Sequence, residues 1–119
     1  MKVKIEGLNS LSKALTKKKV AVENVKTIVS DAADTGERIM KERVPVDTGR
    51  LKDSIERKES DGGKTVKIEP TARDKNGRYY AGYVEFGTKK TPAVPFVRPA
   101  QEEARKQLFE DGLKLLQKK

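Results

Sequence analysis

Apolar residues recur along this chain with periods that can be read directly. Val3 and Ile5 alternate with Lys2, Lys4 and Glu6, the period of a short strand with one face buried, and Gly7 ends it. Leu8, Leu11, Leu15, Val22, Val25, Val29, Ala32 and Ile39 then follow at spacings of three and four, or their sums. That spacing predicts one apolar stripe on a helix from about residue 9 to about residue 43. Asn9 or Ser10 can cap its start, because a short side-chain oxygen takes an orphan backbone N–H. The stripe lapses at Lys18, inside Lys17-Lys18-Lys19, where a kink or short break is expected. Gly36 falls within the stripe. Glycine weakens a helix interior, so its use there predicts the close approach of another backbone. The heptads are too few and too imperfect for a coiled coil, which favours a helix that faces the core or a ring interface. Pro45 stops the helix at or before Val44.

Residues 45–49 read as a turn, in which Asp47 or Thr48 can cap a helical turn holding Arg50, Leu51 and Ser54. A hairpin is predicted with strands at 54–59 and 64–69 around Ser60-Asp61-Gly62-Gly63, a strong turn signal. The polar stretch 73–78 is expected to be a mobile loop. Tyr79, Tyr83 and Phe86 are spaced for one helical face, with Tyr80, Val84 and Gly87 as the adjacent row. Gly87 suits a C-terminal cap, although the residue types alone favour a strand over the same positions. A loop carrying Pro92 and Pro95 precedes a last helix, with Pro99 in its first turn. Ala100, Ala104, Leu108 and Leu115, with Phe109, Leu113 and Leu116, are expected to line its apolar side. Glu102 and Glu103 in its first turns, and Lys118 and Lys119 at its end, would match the helix dipole.

Composition narrows the picture. The 119 residues are 34% hydrophobic and 38% charged, without Trp. One domain over 1–119 with a thin interior is expected, completing its burial against other subunits. The 27 basic and 18 acidic residues leave a net charge of +9, suited to nucleic acid or an acidic protein surface and equally to a solvated exterior. Cysteine is absent, so no disulfide framework is possible. The N-terminus does not resemble a signal peptide, and no apolar run approaches the roughly 20 residues of a membrane helix. No membrane partner is expected, and the working place is the cytosol or a particle assembled there.

The chemical inventory is poor. With no His and no Cys, the commonest general base, the thiol nucleophile and the usual zinc ligands are missing. Glu102 and Glu103 diverge on a helix, and Asp47 and Asp53 flank a turn, so no catalytic, cofactor-binding or metal-binding residues are expected. Gly62-Gly63-Lys64-Thr65 lacks the glycine that a phosphate-binding loop needs five residues before Gly63, where Lys58 stands, and reads as a hairpin turn. Arg73, Lys75, Arg78, Tyr79 and Tyr80 interleave cations and aromatics, as a nucleic-acid surface does. A chain so short of aromatics is nevertheless expected to spend its tyrosines on the core.

Two blocks carry a resemblance. One is Val44-Pro45-Val46-Asp47-Thr48-Gly49-Arg50-Leu51-Lys52-Asp53-Ser54-Ile55. The other is Tyr80-Ala81-Gly82-Tyr83-Val84-Glu85-Phe86-Gly87-Thr88, with Pro95-Phe96-Val97-Arg98-Pro99-Ala100 after it. In this order, after a long N-terminal helix, they resemble the minor structural proteins of siphophage and prophage morphogenesis modules, described as neck, head–tail joining or tail-completion components. The resemblance implies an α+β fold, with a long N-terminal helix and a C-terminal helix packed on a small antiparallel sheet, and a short helix over 80–86. It implies a virion protein that forms a ring, with six subunits expected, between portal and tail tube. Its partners would be further copies and neighbouring neck, head-completion or tail-terminator proteins, without catalysis or cofactor. It marks Pro45, Asp47, Thr48, Gly49, Arg50, Leu51, Tyr80, Tyr83, Glu85, Phe86, Gly87, Thr88, Pro95, Phe96 and Pro99 as structural or interface residues. Arg50 and Glu85 are expected to pair and lock the blocks together. The basic surface would face an acidic neighbouring ring or DNA in the channel. The competing reading is a small basic nucleic-acid-binding regulator, whose DNA affinity would fall steeply with salt.

Overall fold

Three short strands make an antiparallel sheet in the order β1-β3-β2, from β1 (Val3–Glu6), β2 (Ile55–Ser60) and β3 (Thr65–Pro70). The computed structural model describes residues 2–6, 22–45 and 49–117. β3 is central: Val3 lies opposite Ile68 and Ile5 opposite Val66 on one side, with Arg57 opposite Ile68 on the other. Because side chains alternate along a strand, this register gathers Val3, Ile5, Val66 and Ile68 on one face, where all four are buried. The same alternation sets Lys4, Lys67 and Lys58 in a cross-strand row on the other face.

Two helices cover the apolar face, α1 (Val22–Arg43) and, later in the chain, a 21-residue helix over Val97–Gln117. α1 buries Val25, Ile28, Val29, Ala32, Ala33, Ile39 and Met40, the predicted stripe with Ile28, Ala33 and Met40 added. Gly36 meets the last helix as its position implied. A β-carbon added there would lie 3.4 Å from Ala104 Cβ and 3.7 Å from the Ala100 carbonyl oxygen. Small residues on both surfaces let the two helices approach closely, and dispersion across that contact adds to the apolar burial. α1 ends at Arg43, one residue before the buried Val44. The part of the predicted helix before Val22, with Asn9, Ser10 and Lys17-Lys18-Lys19, lies outside the described residues. So do Asp47, Thr48, Lys118 and Lys119.

The connections follow from the turn residues. A one-turn helix α2 (Arg50–Asp53) starts at Gly49, whose φ of 74° is left-handed, a conformation open to glycine without strain. The hairpin turn at Asp61–Gly63 holds all three residues at positive φ, 53°, 64° and 95°, which the two glycines adopt without strain, and each strand lies one residue beyond the predicted span. Between sheet and α1, Arg57 donates to Asp34 and to Ser30 Oγ and lies 3.6 Å from Glu37. Partial burial opposes the guanidinium charge, but the hydrogen bond and field of Asp34, with those of Glu37, outweigh it and raise its pKa above the ordinary value. The described helices include none long and apolar enough to cross a membrane.

Candidate interaction site

The second sequence block folds into one local structure built around a buried carboxylate. Residues Ala81–Phe86 form the short helix α3, so the helical alternative holds over the strand. Its inner side presents Ala81 and Glu85 to the protein, and Glu85 is only 3% exposed. A charge so far from water requires full hydrogen bonding, and three backbone donors provide it. Glu85 Oε1 accepts from the N–H groups of Phe96 at 2.9 Å and Val97 at 2.8 Å, while Oε2 accepts from Arg98 N–H at 3.0 Å. These are the leading donors of α4 (Val97–Gln117), the end of a helix where N–H groups lack intrahelical partners and the dipole is positive. Pro99 comes next and has no N–H to satisfy. Glu85 is thus the N-terminal cap of a helix that begins 12 residues later in the chain.

Other residues of the block hold this arrangement in place. Gly87 closes α3, donating its N–H to the Tyr83 carbonyl at 2.9 Å. Its φ of 76° and ψ of 175° lie in a region essentially reserved for glycine. A β-carbon there would sit 2.7 Å from Ala93 N. Thr88 Oγ1 accepts from the N–H groups of Lys90 and Thr91, folding the loop back so that Val94 N–H reaches the Val84 carbonyl at 2.8 Å. Pro95 is exposed, and Phe96 is fully buried at the start of α4.

The first block reaches the second indirectly. Arg50 donates to the Arg73 carbonyl, while Glu85 is committed to the α4 backbone. The expected Arg50–Glu85 pair does not form: the exposed Arg50 turns to the Arg73 carbonyl, while the Glu85 carboxylate is buried under the start of α4. Leu51 is buried, and Ser54 accepts from Thr71 through both its hydroxyl and its carbonyl. The connecting stretch 73–79 is a tight turn in which Asp74 Oδ1 accepts from the N–H groups of Asn76 and Arg78. Arg73 lies over the Tyr79 ring, 4.4 Å from its centre.

The outer side of α3 differs from expectation. Tyr83 and Phe86 share a face of α3, and that face is open, whereas Tyr79, predicted on the same helical face, lies before the helix and pairs with Arg73 in a single β-bridge. Tyr83 is 53% and Phe86 74% exposed. Tyr79 is exposed as well, so the expectation that the tyrosines supply the core fails, and only Tyr80 packs half-buried against it, beside Val84. The interior instead fills with aliphatic side chains and alanines from the two long helices. Phe109 and Leu113 of α4, expected on its apolar side, are exposed too, because α4 packs through Val97, Ala100, Ala104, Leu108 and Gly112. Four of the chain's six aromatics, three Tyr and three Phe, thus face solvent. Glu102 and Glu103 lie beyond the first turn of α4, where Glu85 supplies the negative charge. No sequence rule announced that cap, since its partners are distant in the chain. The described residues include no group of acidic side chains placed to hold a metal ion.

Neither a curated protein nor a solved structure matches the chain. A family model described as "Bacteriophage HK97-gp10, putative tail-component" matches residues 6–87, a span running from the end of β1 to the closing glycine of α3. By that match, which covers more than half of its length, the chain belongs to the HK97-gp10-like family of bacteriophage tail-component proteins.

Proposed function

We propose that this chain is a single ring-forming domain of the phage neck, joining the DNA-filled head to the tail or completing the tail at its head-proximal end. The observation that carries the reading is the open aromatic face of α3, held from beneath by the buried Glu85 and Phe96. A soluble monomer gains nothing by exposing Phe86 and Tyr83 while burying a carboxylate beneath them. Aromatic side chains on a rigid support are what protein interfaces use as anchors. Gly49, Arg50, Leu51, Gly87, Thr88, Pro95, Phe96 and Pro99 act in this reading as the frame, with Tyr80 and Glu85 beneath the face and Tyr83 and Phe86 on it. Pro45, Asp47 and Thr48 belong to the same structural motif. Six copies, assembled in the host cytoplasm, would close the ring, and the reading assigns the protein no catalytic step and no cofactor.

Particles made without the protein test the role. Filled heads and finished tails that fail to join place it at the joint, and overlong tails place it at the tail end. Normal infectious particles lacking it would overturn the proposal. A second reading draws on the exposed cations beside Tyr79 and Tyr83: a small nucleic-acid-binding regulator. Under it the purified protein stays a monomer and binds duplex DNA tightly at physiological salt. Light scattering combined with a DNA titration separates the two.

A further inference from the structure

The stretch 71–95 around α3 carries the least balanced charge among the described parts of the surface. It holds five basic residues (Arg73, Lys75, Arg78, Lys89, Lys90) and two acidic ones (Asp74, Glu85), a net of +3. Both acids are already engaged with backbone N–H groups. Lys75, Arg78, Lys89 and Lys90 are exposed and form no ion pair among the described residues. On the long helices half of the cations are matched: Lys26, Arg38, Lys41 and Arg98 each meet a glutamate one helical turn away. The exposed Tyr83 and Phe86 therefore sit within unmatched positive charge.

The molecule also presents a surface of opposite character. A cleft of about 390 Å³ lies between the first turns of α1 and the β2–β3 turn, and among the described residues Glu23, Asp31 and Glu59 stand there against one cation, Lys26. The cleft stands at the β2–β3 turn, whereas the α3 segment follows from the other end of β3, a strand of roughly 20 Å. Two unlike, charge-complementary surfaces at opposite ends of one subunit are what a head-to-tail contact requires, and repetition of such a contact closes into a ring when the rotation permits.

From this we infer that the aromatic α3 face of one copy docks in the acidic cleft of the next. Phe86 and Tyr83 enter the cleft, and Lys89 and Lys90 face Glu23 and Glu59. The inference rests on the self-assembly proposed above and names the contact that would produce it.

A charge-swap experiment on the full chain tests it. K89E/K90E and E23K/E59K each place like charges across the contact, and F86D places a carboxylate in the cleft. Circular dichroism checks that each variant is folded; Phe86, Lys89, Lys90, Glu23 and Glu59 are all exposed in the monomer. Sedimentation should show each variant needing at least a tenfold higher concentration than wild type to assemble. Mixing the two charge variants restores assembly, because every contact between unlike chains again joins opposite charges. If wild type assembles and all three variants match it, the docking assignment is overturned while ring formation stands. If the mixture stays dissociated, the pairing is wrong. If wild type never assembles, both readings fall. If K89E/K90E loses duplex DNA binding and assembles normally, the surface is a nucleic-acid face and the inference fails.

Discussion

Replacing Glu85 by alanine removes the acceptor for three backbone N–H groups at the start of α4. Two of those donors belong to buried residues, Phe96 and Val97, so water cannot readily take over. Each unsatisfied buried donor costs about 1–3 kcal/mol. Against this stands the relief of no longer keeping a carboxylate out of water. The net loss for Glu85→Ala should be about 3–4 kcal/mol, the cost of two buried unsatisfied donors less that relief. Since a domain is stable by only about 5–15 kcal/mol, this is a large share. Glu85→Gln keeps a carbonyl oxygen for Phe96 and Val97 but turns an amide N–H₂ toward the Arg98 N–H. It should cost about 1–2 kcal/mol, nearer the value of an ordinary helix cap. Urea unfolding followed by circular dichroism measures both. With a slope of about 2 kcal/mol per molar urea, the alanine midpoint falls by about 2 M and the glutamine midpoint by less than 1 M. Amide hydrogen exchange should quicken first at residues 96–98. An alanine cost below about 1 kcal/mol would refute the capping role. Equal costs for the two variants would refute the division into two carbonyl-tolerant bonds and one that needs the charge.

Other expectations follow from the same geometry. Gly87→Ala should destabilise by about 2–4 kcal/mol in the same unfolding assay, from backbone strain and a β-carbon 2.7 Å from Ala93 N; a neutral result would mean that the α3–α4 loop relaxes freely. Gly36→Leu should wedge α1 away from α4 and cost about 2–3 kcal/mol by overpacking, read as a fall in thermal midpoint. A double-mutant cycle on Arg57 and Asp34 should return a coupling of about 0.5–1 kcal/mol, discounted because Asp34 is largely exposed, and the coupling should shrink as salt is added.

Much of this architecture was legible in the chain itself. The alternation at Val3 and Ile5, the stripe through Val25, Val29, Ala32 and Ile39, the stop at Pro45 and the turn at Asp61–Gly63 are local patterns, set by how backbone geometry spaces side chains. Gly36 and Gly87 were informative because glycine answers to backbone requirements. What sequence could not supply was the partner of each exposed or buried group. Residue type placed the tyrosines in the core, but the spacing between α1 and α4 is set by Gly36, Ala100 and Ala104 and leaves no room there for a ring. Glu85 looked available to Arg50 until the fold brought the start of α4 over it. Periodicity depends on neighbours within a turn or two, so the sequence contains it. Capping, exposure and charge balance depend on which distant segments meet, and only tertiary packing decides that.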